Sequence, residues 1–148
     1  MFKIFSDLTM VLRKELDVAV TGAGQVLSSG VTGSWVTLDS SGNAILTSAE
    51  TALAWPIWNE SYRSGALGSF TPDVVNSKKI SVIVGKIFAT TDQFTGSPSR
   101  GDILYTTAGG KLTNGTIGTN HPVAVCVKAS YSTVYFTQTL DVIDIQTL

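Results

Sequence analysis

Apolar and polar positions alternate along most of this chain in short bursts, and glycine, serine and asparagine stand between them. In SWVTLDSSGNAILTS, residues 34–48, Trp35, Thr37 and Asp39 alternate with Val36 and Leu38 before a Gly-Asn turn, which predicts a hairpin. The run ALAWPIW follows; Pro56 cannot donate a ladder hydrogen bond, so it belongs at a sheet edge or a bulge. KKISVIVGKIFATTDQF is the longest strand candidate, with Ile80, Val82 and Val84 on one face and Gly85 marking a bulge or a change of sheet. HPVAVCVKAS, YSTVYFTQ and DVIDIQ continue the pattern, and no segment after residue 20 carries a sustained helical stripe. Short strands at regular spacing with turn signals between them predict an all-β domain, a compact β-sandwich or β-barrel.

The N-terminus reads differently. Phe5, Leu8, Leu12 and Leu16 fall near a helical period, whereas Phe2 and Ile4 alternate as on a strand. Gly22, Gly24, Gly30 and Gly33 then interrupt the chain. The expected organisation is an N-terminal arm and flexible junction over residues 1–24, followed by a single β-domain over 25–148.

Composition narrows the function. The chain has 148 residues, enough to bury about 68–70% of its unfolded surface. It is 43% hydrophobic and only 14% charged, with a mean hydropathy of +0.25, where soluble domains average roughly 25% charge. A surface so short of lysine and glutamate fits one that is partly covered by another protein. The net charge of −1 leaves no basic face for a polyanion, so nucleic acid is not an expected partner. The charged residues Asp7, Arg13, Lys14, Glu15 and Asp17 interrupt the apolar N-terminus, and no membrane span is expected there. The single cysteine, Cys126, sits in VAVCV and reads as a buried, inert thiol.

The stretch GDILYTTAGGKL, residues 101–112, raises the question of a phosphate loop. A Walker A motif needs glycine where Tyr105 stands and a hydroxyl where Leu112 stands, and no helix follows to meet a phosphate. It reads as a hairpin turning at Ala108-Gly109-Gly110, with Lys111 solvated. The tripeptide Arg100-Gly101-Asp102 reads as turn chemistry and not as an adhesion signal. His121, the one histidine, has neither a nucleophile elbow nor clustered carboxylates around it in sequence, so no catalytic residue, metal or cofactor is expected. Trp35, Trp55 and Trp58 with Tyr62 are candidate aromatic contacts, and the alternation of ALAWPIW turns Trp58 away from Trp55 towards an interface.

Taken in order, AWPIWNESYRSG, GSFTPDVV, KKISVIVGKIFATTDQF, GDILYTTAGGKLTNG and HPVAVCVKA resemble the small capsid decoration proteins of tailed bacteriophages, also called cement or head-stabilisation proteins. The resemblance covers roughly half the chain, residues 54–129. It implies a non-enzymatic β-domain, commonly a homotrimer, made in the host cytoplasm and bound to the outer surface of the capsid between capsomers, with a terminal arm on the major capsid protein. By position and character the arm contacts would be Phe2, Ile4, Phe5, Leu8 and Met10, with Trp58 at a subunit contact. The alternative expectation, drawn from the tryptophans and the Ser/Thr-rich loops, is a carbohydrate- or receptor-binding β-module of a phage tail or surface protein.

Overall fold

The computed structural model describes residues 1–5, 12–20, 26, 31–49, 53–58, 77–115, 121–135 and 137–148. Within them the chain is all-β. Its strands are β1 (Phe2–Ile4), β2 (Leu12–Asp17), β3 (Trp35–Leu38), β4 (Ala44–Leu46), β5 (Trp55–Pro56), β6 (Lys79–Val84), β7 (Phe88–Thr91), β8 (Ile103–Thr107), β9 (Lys111–Thr113), β10 (Ala124–Tyr135) and β11 (Gln138–Thr147).

These strands form two curled bodies. In the smaller, β2 pairs antiparallel with β6, and β4, β3 and β5 lie side by side. Two bridges join these sheets into a ring: Ile57 to Val82, and Val18 to Ala44. Leu16, Val18, Val26, Val36, Ala44, Leu46, Ile57, Ile80 and Val82 form one buried cluster inside it, with alternate residues of β4 and β6 facing in. That phase follows from the two-residue period of a strand.

The larger body is a six-stranded sheet in the order β1-β7-β11-β10-β8-β9. It curls until β9 meets the chain just past β7: the Thr95 N–H donates to the Leu112 carbonyl (2.8 Å) and the Leu112 N–H to the Gln93 carbonyl (3.0 Å). Ala89, Leu104, Leu112, Ala124, Cys126, Ile143 and Ile145 fill its inside. Trp35 and Ile83 join this second core from the outer faces of β3 and β6, so these strands are apolar on both sides and tie the bodies together.

Gly85, at φ +106°, is where the chain changes sheet between β6 and β7, as its position in the sequence predicts. Thr147 secures the crossing, donating its hydroxyl to the Gly85 carbonyl (2.7 Å) and accepting from the Ile87 N–H (2.8 Å). The hairpin of residues 101–112 is also present, with a 3₁₀ turn over Ala108–Gly110. Its tip is bonded to the smaller body: Gly110 N–H to the Thr47 carbonyl (3.1 Å), and the Thr47 hydroxyl to the Thr107 carbonyl (3.1 Å).

The N-terminal arm needs correction. Residues 2–4 are strand β1 on the edge of β7, and residues 12–17 are strand β2, one wall of the smaller body. Phe2 is 7% exposed and belongs to the larger core, so it is not a side chain held out for a partner. An apolar strand with an open sheet edge within reach gains ladder hydrogen bonds and burial from its own domain, and that intrachain solution is the one adopted.

Candidate functional site

The last hairpin is longer than its body requires. β8 pairs with β10 only at Ala124 and Val125, and β7 pairs with β11 only over Ile143–Gln146. Beyond these points Lys128–Tyr135 and Gln138–Val142 continue as a two-stranded ribbon, bent by register shifts between Cys126 and Tyr131. A ribbon of two strands carries little stability alone, and Val134 on it is 70% exposed.

Between this ribbon and β1 lies a groove of about 500 Å³. All five N-terminal residues line one side, Trp58 closes one end, and Tyr131, Thr133, Val134 and Tyr135 form the ribbon wall above Thr90. The β5 bridge at Ile57 and the Trp58 N–H bond to the Ser81 carbonyl (2.8 Å) bring Trp58 here. Phe5 is 54% exposed at the rim.

The register places Lys3, Thr90, Asp144 and Lys128 in one row across the sheet. Asp144 accepts hydrogen bonds from the Thr90 hydroxyl (2.7 Å) and the Tyr131 hydroxyl (2.9 Å). Burial, and then the Asp144 carboxylate, raise the Tyr131 phenol above its usual pKa, so it stays a neutral donor. Three cations stack on rings around the groove: Lys3 on Phe5, Arg13 on Trp58 at 4.8 Å, and Lys128 on Tyr131 at 3.6 Å. The Met1 ammonium ion-pairs with Asp92; burial lowers its pKa and the carboxylate opposes that shift.

Thus Phe2, Ile4, Phe5 and Trp58 come together on one groove, although the sequence placed the first three on the capsid and Trp58 at a subunit contact. Ile4 and Trp58 are half-buried against the larger core. Leu8, Met10 and Tyr62 lie outside the described residues. The ribbon tyrosines were missed, and the signal for them was length: the run rich in β-branched and aromatic residues that continues through Tyr131, Thr133 and Tyr135 exceeds the five or six residues of an ordinary strand.

The other candidates lie away from this groove. Asp102 accepts from the Ser99 N–H (2.8 Å) and the Asn114 amide (2.7 Å), so the carboxylate of the Arg-Gly-Asp tripeptide is engaged within its own turn. Those bonds, the backbone one first, hold its pKa below the ordinary value. Lys111 is exposed on β9, and His121 is exposed at the entrance to β10. A second, smaller cavity of about 170 Å³ lies beside Trp35, Trp55 and Pro56.

No protein-family model, curated protein or solved structure matches the chain.

Proposed function

We propose that this chain is a structural protein of a bacteriophage virion, bound to the outer surface of the capsid between capsomers, where it stabilises the head. The capsid assignment rests on the resemblance carried by residues 54–129. The observation that supports a docking role is the groove, where Phe5, Trp58, Tyr131, Val134 and Tyr135 converge beside an edge strand. In this reading the contact with the major capsid protein is the groove and its rim, not a free arm. Aromatic side chains supply large contact area at low entropic cost, which suits a surface that must hold without chemistry.

A homotrimer is part of the proposal. Phe88 and Ile103 are 46% and 42% exposed at opposite ends of one row across the outer face of the larger sheet, with Gln146 and Val125 between them. Such an apolar row supports self-association. Several docking grooves on one oligomer would bridge neighbouring capsomers and bind through effective concentration.

The test is binding of the purified protein to undecorated heads, with its solution mass measured alongside. Phe5→Asp combined with Val134→Asp is expected to abolish decoration while leaving the fold intact, because both side chains are exposed. Undiminished decoration by that variant overturns the assignment of the groove, and a monomeric mass overturns the trimer.

A second reading is favoured by one specific feature, the hydroxyls of Thr90, Thr133 and Tyr131 set among aromatic rings, which would suit a sugar. It predicts hits on a glycan array and quenching of Trp58 fluorescence.

A further inference from the structure

We infer that the groove takes an extended, acidic segment of a partner protein as an added β-strand on the free edge of β1. The inference deepens the reading above by giving the partner's chemistry, and rests on it only for the partner's identity.

The first argument is the direction of the backbone. The Phe5 N–H donates to the Phe88 carbonyl (2.8 Å) and the Asp92 N–H to the Met1 carbonyl (3.3 Å). In an antiparallel ladder the bonded positions alternate, so Met1, Lys3 and Phe5 direct their backbone groups at β7. The N–H and C=O of Phe2 and Ile4 therefore point the other way. β1 ends the sheet order, and among the described residues no strand pairs with that edge. Residues 1–5, which line one side of the groove, also carry this edge, which faces away from β7 and has no strand on it among the described residues. An open edge of this kind is a template for a further strand.

The second argument is charge. Lys3, Arg13 and Lys128 stand over the rings that line the groove. Against them stands Asp144, already accepting two hydroxyl hydrogen bonds, while Asp92 is paired with the Met1 ammonium. Neither Lys3 nor Lys128 has a carboxylate partner among the described residues. The chain's net charge is −1, so two lysines beside the groove with no carboxylate partner among the described residues are a local feature and not a reflection of overall charge. On a strand added beside β1 successive side chains fall on opposite faces, so in a segment alternating carboxylate and apolar residues the acids would share the face of Lys3 and the apolar groups the face of Phe2 and Ile4.

The test uses the full chain and the octapeptide (Glu-Val)₄, with (Lys-Val)₄ and polygalacturonate as comparison ligands. Amide resonances and hydrogen exchange are followed by NMR. Saturating (Glu-Val)₄ is expected to slow exchange at the Phe2 and Ile4 amides, with binding that weakens as salt is added.

Ile4→Pro removes an outward N–H that the intrachain ladder does not use, and proline is tolerated in that position on an edge strand. Ile4→Ala keeps the N–H and loses only the side chain. Ile4→Pro should bind ~2- to 12-fold more weakly than Ile4→Ala, the range for one backbone hydrogen bond. Lys3→Glu, an exposed change, should also weaken binding and stands as the check if the proline variant is poorly folded.

Unchanged exchange at Phe2 and Ile4 overturns the inference, as does equal binding of (Lys-Val)₄ or equal affinity of the two Ile4 variants. Polygalacturonate shifting Trp58 and Tyr131 without protecting the edge amides overturns it in favour of an anionic saccharide. Decoration of heads without any peptide effect defeats the strand inference alone. Peptide binding without decoration defeats the capsid reading alone.

Discussion

Gly110 offers a sharp test of how the two bodies are joined. Both glycines at the tip of the β8–β9 hairpin lie in the left-handed region, Gly109 at φ +73° and Gly110 at φ +70°. An alanine at either pays a conformational cost of about 1–2 kcal/mol, offset by about 0.4–1 kcal/mol through the stiffer unfolded chain. Their surroundings differ. A Cβ on Gly109 meets nothing within 4 Å, whereas one on Gly110 falls 2.8 Å from the Trp35 carbonyl oxygen and 2.9 Å from the Trp35 nitrogen. Those are backbone atoms of a strand buried on both faces and cannot swing aside. Forcing such an overlap costs about 1–3 kcal/mol more. Gly109→Ala should therefore destabilise by about 1 kcal/mol and Gly110→Ala by about 2–4 kcal/mol, a large share of the roughly 5–15 kcal/mol of a typical domain. Urea unfolding of the two variants and the parent, compared at equal m-value, measures the difference. If the variants lie within about 0.5 kcal/mol of each other, the hairpin tip does not press on Trp35 and the account of the joint is wrong.

Phe2→Ala should cost about 3 kcal/mol in thermal or urea unfolding because it empties a site in the larger core; a loss below about 1 kcal/mol would restore the view of a free arm. Asp102, its pKa lowered by the Ser99 N–H and then by Asn114, contributes stability that is present above the ordinary carboxylate range and lost as pH falls through its lowered folded value. Asn114→Ala should move its NMR titration midpoint upward, and an unmoved midpoint would refute that bond's role. Burial, and then the charges of Asp102 and Asp144, push the Cys126 thiol pKa up, so iodoacetamide at mildly alkaline pH should label the native protein far more slowly than the urea-unfolded one. Equal rates would contradict its burial at 1% exposure.

The alternation of apolar residues in SWVTLD, AILTS and KISVIV was enough to predict strands, because a strand's period is a local property, but not every buried face, since Trp35 and Ile83 are buried opposite Val36 and Val82 while Leu38 is exposed. Val36, Leu46, Ile80 and Val82 fill one core. Gly85 as a change of sheet, Ala108–Gly110 as a turn and Cys126 as a buried thiol were legible for the same reason: each depends on a backbone torsion or on the residue's immediate run. The N-terminus was not legible in this way. Whether Phe2 and Ile4 reach out to a partner or lie along β7 depends on where the open edge of β7 ends up, and that is fixed by pairings between residues about ninety positions apart. The groove has the same origin, since Trp58, Lys3 and Tyr131 share no local pattern and meet only when the two bodies are closed. Local sequence determined that this chain is a β-protein with its hydrophobic faces turned inward. Only tertiary structure decided which edge was left open, because an edge is defined by the strands that fail to pair with it.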